Sequence, residues 1–371
     1  MVGPHTVVIG GGIAGLSVAG SLAERGERVT LLEREAAFGT HSSARNAQIW
    51  LPVDDDLSTG PLARRSAARL TRLLGREDRW LTRSGALVLG SDDQTAGIQR
   101  GAARAGLTAH IISSAEAREL SPLVESDLIA QRVDGAGVFD PHAMISGLGA
   151  ACRDAGVELR TGAGVAAIEL SGGEVRGVTL EGGERIEAGR VVNASGAWAG
   201  SLGAAIGAPV PLVPIRRHLV LLDAPPADAG TVVWSFANPS VYFRPESGGV
   251  LASPCDERAW EPCLPTADAG ALELLGERLA TVAPTLVDAP VRTSWACLRT
   301  YTHDRELVLG PDPRVPGLVW LAGLGGRGMT VGVGAGELCA AAIGGALTSN
   351  EAKLVGSMRA DRSQPESMQP L

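Results

Sequence analysis

Apolar and polar positions change period several times along the chain. A β-branched run at 6–9 is followed at once by glycines, then apolar positions repeat at helical spacing over 16–25, and 29–32 is a second apolar run ending at Glu33. The pattern predicts strand, turn, helix and strand within about thirty residues. Residues 61–74 read as a helix with Leu62, Leu70, Leu73 and Leu74 opposite a face of arginines. A strand over 82–89 and helices over 94–105 and 114–120 follow, the last ending before Pro122. Asp140 and Pro141 start a helix that Gly156 ends, with strands over 157–159, 165–170 and 175–180. Residues 190–198 read as a buried strand running into a small-residue turn around Ser195, Gly196 and Trp198. From 209 to 297 the chain is strand-rich and punctuated by proline, the pattern of a β-sheet domain covering a site. Residues 318–337 repeat the order strand, glycine-rich turn, helix.

The first glycine-rich turn has a specific chemistry. Gly10 lets the chain leave the strand sharply, Gly12 lets backbone approach a diphosphate, and Gly15 lets the helix opened by Ile13 and Ala14 pack close to the strand. A diphosphate would sit on the free N–H groups at that helix start. Glu33, with Arg34 beside it, is placed to accept hydrogen bonds from a ribose diol. Dinucleotide binding is therefore expected, and the turn alone does not choose between NAD and FAD. In residues 38–51, Ser42, Ser43 and the backbone to Ala47 could wrap a flat polar ring, with Arg45 and Asn46 as donors; an ordinary loop with a capping serine fits equally.

Bulk properties narrow the class. The chain has 371 residues, long enough for two domains or one composite body. Its net charge of −8 supplies no basic stripe for nucleic acid. Lys353 is the one lysine, so no lysine in the body is available for a Schiff base or a cation beside a cofactor. Five cysteines without paired spacing fit a reducing cytoplasm and no metal site. No apolar run reaches spanning length, since 331–347 is short and broken by glycine.

With these residues in view, the chain resembles the FAD-dependent D-amino acid oxidase superfamily, including D-arginine dehydrogenase, glycine oxidase and monomeric sarcosine oxidase. The resemblance is carried in order by VVIGGGIAGLSVAGSLAERG with LLER, THSSARN, FDPHAMISGL, VVNASGAW, VYFRPE, SWACLRTYTHD and LAGLGGRGM. It implies FAD as cofactor and a mixed α/β and α+β fold, a Rossmann-like FAD-binding domain interrupted by a β-sheet-rich substrate domain. The expected division gives 1–84, 136–208 and 298–360 to the FAD-binding domain, 85–135 and 209–297 to the substrate domain, and 361–371 to a loose tail. Gly10, Gly12, Gly15 and Glu33 match the family's ADP contacts, Val165 a residue beside the adenine, and Ser42, Ser43, Asn46 and Ala47 its isoalloxazine loop. Gly325, Gly326, Arg327, Gly328, Met329 and Thr330 match the loop at the flavin pyrimidine end.

For the substrate, the resemblance implies that Arg299 holds an α-carboxylate and that the Tyr242 hydroxyl joins it, with Arg216 or Arg217 as a second clamp. A planar guanidinium suits this role because it grips a carboxylate through two parallel bonds. The implied reaction oxidises the Cα–N bond of a D-amino acid or carboxylate-bearing secondary amine, by hydride transfer to flavin N5 giving an imine that hydrolyses. The neutral amine must form first, and no residue stands out as its base. Oxygen or a quinone would accept the electrons, and the missing lysine leans the reading toward dehydrogenase behaviour. Ile49, followed by Trp50, stands where D-arginine dehydrogenase places a histidine, implying a more apolar pocket; Arg327 stands where that enzyme has tyrosine. Cys297 aligns with the cysteine that sarcosine oxidase bonds to its flavin, and reads either as that attachment point or as a buried structural thiol. A 2-hydroxy acid dehydrogenase of the same superfamily and a non-catalytic flavoprotein subunit remain alternatives.

Overall fold

The computed structural model describes residues 5–225, 230–238 and 240–368. Two sheets dominate it. The first has six strands in the order Val308–Pro311, Leu318–Ala322, Arg190–Asn193, Thr6–Ile9, Val29–Leu32 and Glu158–Arg160. Thr6–Ile9 lies parallel to both neighbours, with Val8 opposite Leu31 on one side and Val192 on the other. All four of its residues are buried, which explains the unbroken β-branched run: a parallel strand covered on both faces has no polar side to show.

Helix Ile13–Ala23 covers this sheet, and the glycine-rich helix Gly328–Ile343 packs against it. Small residues set that approach. A Cβ on Gly336 would lie 2.4 Å from Ser17 Oγ, and one on Gly334 would lie 2.3 Å from the Leu62 carbonyl of helix Thr59–Leu74. Ser17 Oγ then donates to the Val333 carbonyl at 2.7 Å, and Gly334 N–H donates to Ser66 Oγ at 2.8 Å. The apolar stretch 331–347 is thus largely helix-packing surface, and among the described residues no helix is long and apolar enough to cross a membrane.

The second sheet has nine strands, drawn from 86–134 and from 212–302. Its longest pair is antiparallel, Leu212–Leu222 against Val291–Thr302, with Ile215 opposite Arg299 and Arg217 opposite Cys297. This mixed α/β architecture agrees with the expected fold class. The expected boundaries need two changes. Val291–Thr302 is one continuous strand of the nine-stranded sheet, so the chain rejoins the six-stranded sheet at Val308 and not at residue 298. The stretch expected as a loose tail is tied down: Arg362 Nε donates to Asp304 at 2.7 Å, His303 N–H donates to Gln364 Oε1 at 3.2 Å, and 369–371 lie outside the described residues.

Candidate active site

A cavity of about 530 Å³ runs between the two sheets. At one end its wall is built by Gly10, Gly12, Ile13, Ala14, Glu33, Arg34 and Val165, and at the other by Cys297, Arg299, Gly325, Gly326, Gly328 and Met329. Ser42, Ser43, Arg45, Asn46, Ser195, Gly196 and Trp198 also line it. Most of the residues expected around a cofactor therefore share one elongated space.

The nucleotide end is shaped by the glycines. Gly10 has φ of +102°, and a Cβ on Gly15 would lie 1.8 Å from the Gly10 carbonyl, so the helix start can close on the strand only with glycine there. Glu33 is 7% exposed, accepts from Gly11 N–H at 2.7 Å and Glu35 N–H at 2.9 Å, and has no cation within salt-bridge distance among the described residues. A carboxylate has about four acceptor positions, so its remaining lone pairs can receive a diol. Arg34 lies 4.8 Å over the Trp198 ring and pairs with Glu181 at 2.6 Å, closing the rim.

The loop expected to wrap the ring system is largely held by its own bonds. Ser43 Oγ accepts from Ile13 N–H at 3.0 Å, and Asn46 Nδ2 donates to the Ser43 carbonyl at 2.8 Å. Arg45 donates to the Ala296 carbonyl at 3.2 Å, and Ser42 Oγ to that of Leu298 at 2.5 Å. The Arg45 and Asn46 side chains are thus spent on positioning the loop. Arg244, missed in the sequence, holds it from below: Nε donates to the Ala47 carbonyl at 2.6 Å and Nη2 to Gln48 Oε1 at 2.9 Å. Gln48 itself has φ of +61°. Ala47 is buried behind this loop and off the cavity wall, as is Thr330 one residue beyond Met329.

At the opposite end, strand alternation separates the arginines. Arg299 and Arg217 share a sheet face with Cys297, whereas Arg216 points to the other. Arg216 bonds to Asp268 and stacks 3.9 Å over Trp260, so the expectation that it clamps substrate is corrected. Arg327 is corrected likewise: its guanidinium bonds to Asp56, Thr59 and the Arg305 carbonyl and is absent from the wall. Burial opposes that cation, but the carboxylates of Asp54, Asp56 and Glu306 more than offset it and raise its pKa above the ordinary arginine value.

Arg299 is different. It is 5% exposed, donates through Nη1 to Cys297 Sγ at 2.7 Å and more distantly to the Leu298 and Arg45 carbonyls, and meets no carboxylate within 4.0 Å among the described residues. Arg217 is buried too, but pairs with Glu257 at 2.7 Å. Tyr242 lies deeper than the wall, and burial pushes its hydroxyl up to about 12 while Arg217 and Arg299 pull the other way. Tyr301 was not anticipated from the sequence; its hydroxyl accepts from Gly326 N–H at 3.0 Å, and its ring occupies the place a Cβ on Gly325 would need. Trp50 packs edge-on against Trp80 at 5.1 Å, a core contact and not a pocket wall.

Residues 5–342 match the family described as DAO, FAD dependent oxidoreductase. The chain belongs to this family. FAD is its cofactor, and the cavity fits it at the points just described: a glycine turn closed on a helix start, a buried carboxylate with free lone pairs, and a long space ending at a second helix start. DAO relatives span several chemistries. The chain is 29% identical to the glycine oxidase of Geobacillus kaustophilus over 343 residues, covering 85% of this chain and 86% of that protein. It is 26% identical to the anaerobic glycerol-3-phosphate dehydrogenase subunit A1 of Haloferax volcanii, over 80% of this chain and only 54% of that one. Against the mouse regulatory subunit of pyruvate dehydrogenase phosphatase it is 28% identical and spans 41% of that protein's length. Among solved structures, L-proline dehydrogenase from P. horikoshii superposes with a TM-score of 0.84 at 24% identity, covering 97% of both chains, and shows the fold. The Geobacillus glycine oxidase superposes with a TM-score of 0.77 at 25% identity, covering 93% of this chain and 96% of that one.

Proposed function

We propose that this DAO-family oxidoreductase oxidises the Cα–N bond of an amino acid or secondary amine bearing a carboxylate. The observation that carries the reading is Arg299, a buried guanidinium facing the cavity with no acidic partner among the described residues. Burying a cation without a counter-charge is costly, and an anionic ligand removes that cost. The chemistry that FAD supplies when bound is acceptance of a hydride. The protein's residues orient the donor: Arg299 would hold the carboxylate through two parallel bonds, with Arg217 and Tyr242 on the same sheet face behind it. The first turn of helix Gly328–Ile343 directs N–H groups and its positive dipole end toward the space between Gly326 and Met329. Such a helix start stabilises negative charge arriving at that end of the cavity. The acid-base groups on the wall are tied elsewhere, Glu33 to Gly11 N–H, His41 to Glu35 and Glu181 to Arg34, so the amine would enter in its neutral form. D- or L-configuration follows from which face of Cα meets the cofactor once the carboxylate is fixed; a D-amino acid is the preferred form of the proposal. Glycine oxidase among the relatives supports the amine reading, and the Haloferax glycerol-3-phosphate dehydrogenase subunit keeps alcohol oxidation as the competing one.

The test is anaerobic bleaching of the flavin in the purified holoenzyme by D- and L-amino acids, N-methyl amino acids and 2-hydroxy acids, followed by air. Bleaching by an amine is expected, and fast or slow recolouring separates oxidase from dehydrogenase. Bleaching by 2-hydroxy acids alone would replace the proposal with its alternative.

A further inference from the structure

We infer that residues 256–268 form a strap over the substrate end of the cavity, and that Leu264 at its tip closes on the carboxylate-bearing ligand. The inference rests on the proposed role of Arg299 and adds what covers a ligand held there. Cys263, Leu264 and Pro265 stand on the cavity wall, although they belong to none of the sequence motifs. Leu264 is 50% exposed; the other large apolar side chains open to this degree among the described residues, Leu57, Ile111, Val287 and Val291, lie off the wall. An apolar side chain left open on a cavity wall gains its burial from whatever fills the cavity.

The sheet sets where the strap leaves and returns. Ala259 pairs with Ile215 and Ile215 with Arg299, so three adjacent strands put Ala259 on the same face as Arg299. Trp260 N–H then donates to the Pro214 carbonyl at 2.9 Å, and its ring lies on the opposite face against Arg216. One buried histidine pins both feet. His218 Nδ1 donates to Asp256 at 2.8 Å and Nε2 accepts from Asp268 N–H at 3.3 Å, which fixes the tautomer and ties together the two ends of the strap. Glu257 adds a further hold through Arg217 at 2.7 Å and Arg305 at 2.5 Å. Arg216, Arg217 and His218, adjacent in the sequence, thus each grip the strap, Arg216 through Asp268. The tip differs from the base: 261–267 make no hydrogen bond to another described residue, and Pro262 and Pro265 have no N–H to offer. A loop closed at its base and unbonded at its tip can settle on a ligand without disturbing the sheet.

The experiment uses the FAD-loaded protein with butanoate as ligand. Binding is read from flavin absorbance, and strap closure from N-ethylmaleimide labelling of Cys263, followed by mass spectrometry of its peptide. Wild type, Leu264→Ala and Leu264→Met are compared; the side chain is half-exposed, so each variant should fold, and flavin content and Tm check this. Saturating butanoate should slow the labelling of Cys263 in wild type by about fivefold or more. Leu264→Ala should bind butanoate about fivefold more weakly, the effect of losing part of a buried leucine, and Leu264→Met should bind it as wild type does. Labelling that butanoate leaves unchanged, or equal affinity in wild type and Leu264→Ala, overturns the inference while leaving Arg299 in place. No response of the flavin to butanoate in wild type overturns the Arg299 reading and this inference with it.

Discussion

Arg299 donates through Nη1 to Cys297 Sγ at 2.7 Å, and that sulfur in turn donates to the Arg45 carbonyl at 2.7 Å. The chain of bonds fixes the guanidinium against the loop 40–48 without neutralising it. Its neighbours differ: Arg216 has Asp268, Arg217 has Glu257 and Arg327 has Asp56. Of these four arginines, Arg299 alone lines the cavity and meets no carboxylate among the described residues, which leaves it for a ligand.

The bonded thiol bears on how the cofactor is held. Cys297 is engaged as a donor to a carbonyl, whereas attack on a flavin methyl needs the free thiolate. FAD is therefore expected in the supernatant after acid precipitation of the holoenzyme, and flavin remaining with the pellet would contradict this. Burial raises Cys152 to about 11 and Cys339 to about 12, so both should resist a thiol reagent at neutral pH. Cys263, half-buried and on the cavity wall, should react first, and more slowly when FAD is bound.

Gly15 offers a sharper test of the fingerprint. An added methyl would meet the Gly10 carbonyl at 1.8 Å, a backbone atom that cannot swing away. Gly15→Ala should lose FAD binding and lower Tm, whereas Gly26→Ala meets nothing within 4 Å and should keep FAD, paying only for its φ of +84°. Retention of full flavin content by Gly15→Ala would show that the helix does not close on the strand as described.

Tyr242 can be titrated alone, because the chain has two tyrosines and Tyr301→Phe leaves one. Burial holds its hydroxyl up to about 12, so tyrosinate absorbance in that variant should appear well above the ordinary tyrosine value of about 10. The sign for stability follows. The folded protein keeps the proton that the unfolded chain releases, so Tyr242's contribution is whole below pH of about 10 and is lost as pH rises toward 12. A midpoint near 10 would place the hydroxyl in water.

Gln131 is fully buried, and neither end of its amide has a hydrogen-bond partner among the described residues. Leaving such a group unsatisfied costs about 1–3 kcal/mol. Gln131→Met, similar in shape and without that demand, should raise Tm with flavin content unchanged. A fall in Tm would mean that the amide is satisfied in solution.

Much of the nucleotide half was legible in the sequence, because its requirements are local. Gly10, Gly12, Gly15 and Glu33 lie within one strand-turn-helix-strand unit, and local contacts explain Gly15, against the Gly10 carbonyl, and Glu33, against Gly11 N–H, although Gly10 also abuts Ala194 from a distant strand. The substrate half was less so. Arg216 and Arg217 are adjacent, and which of them faces the site depends on the register against Cys297, eighty residues away. Arg327 sits in the right loop, but only the fold brings Asp56 to it. Arg244 stands within VYFRPE, but its reach to Ala47 and Gln48 is set by pairing across the nine-stranded sheet.

The most direct test of the account is the affinity of the FAD-loaded protein for acetate, read from flavin absorbance, in wild type and in Arg299→Gln. Replacing a charge-assisted pair by a neutral amide removes about 1.5–3 kcal/mol, roughly a 10- to 150-fold loss of affinity. The account predicts a loss in that range with flavin content unchanged. Equal affinity in the two proteins would show that Arg299 does not receive the carboxylate, and the proposed amine-bearing substrate would lose its anchor.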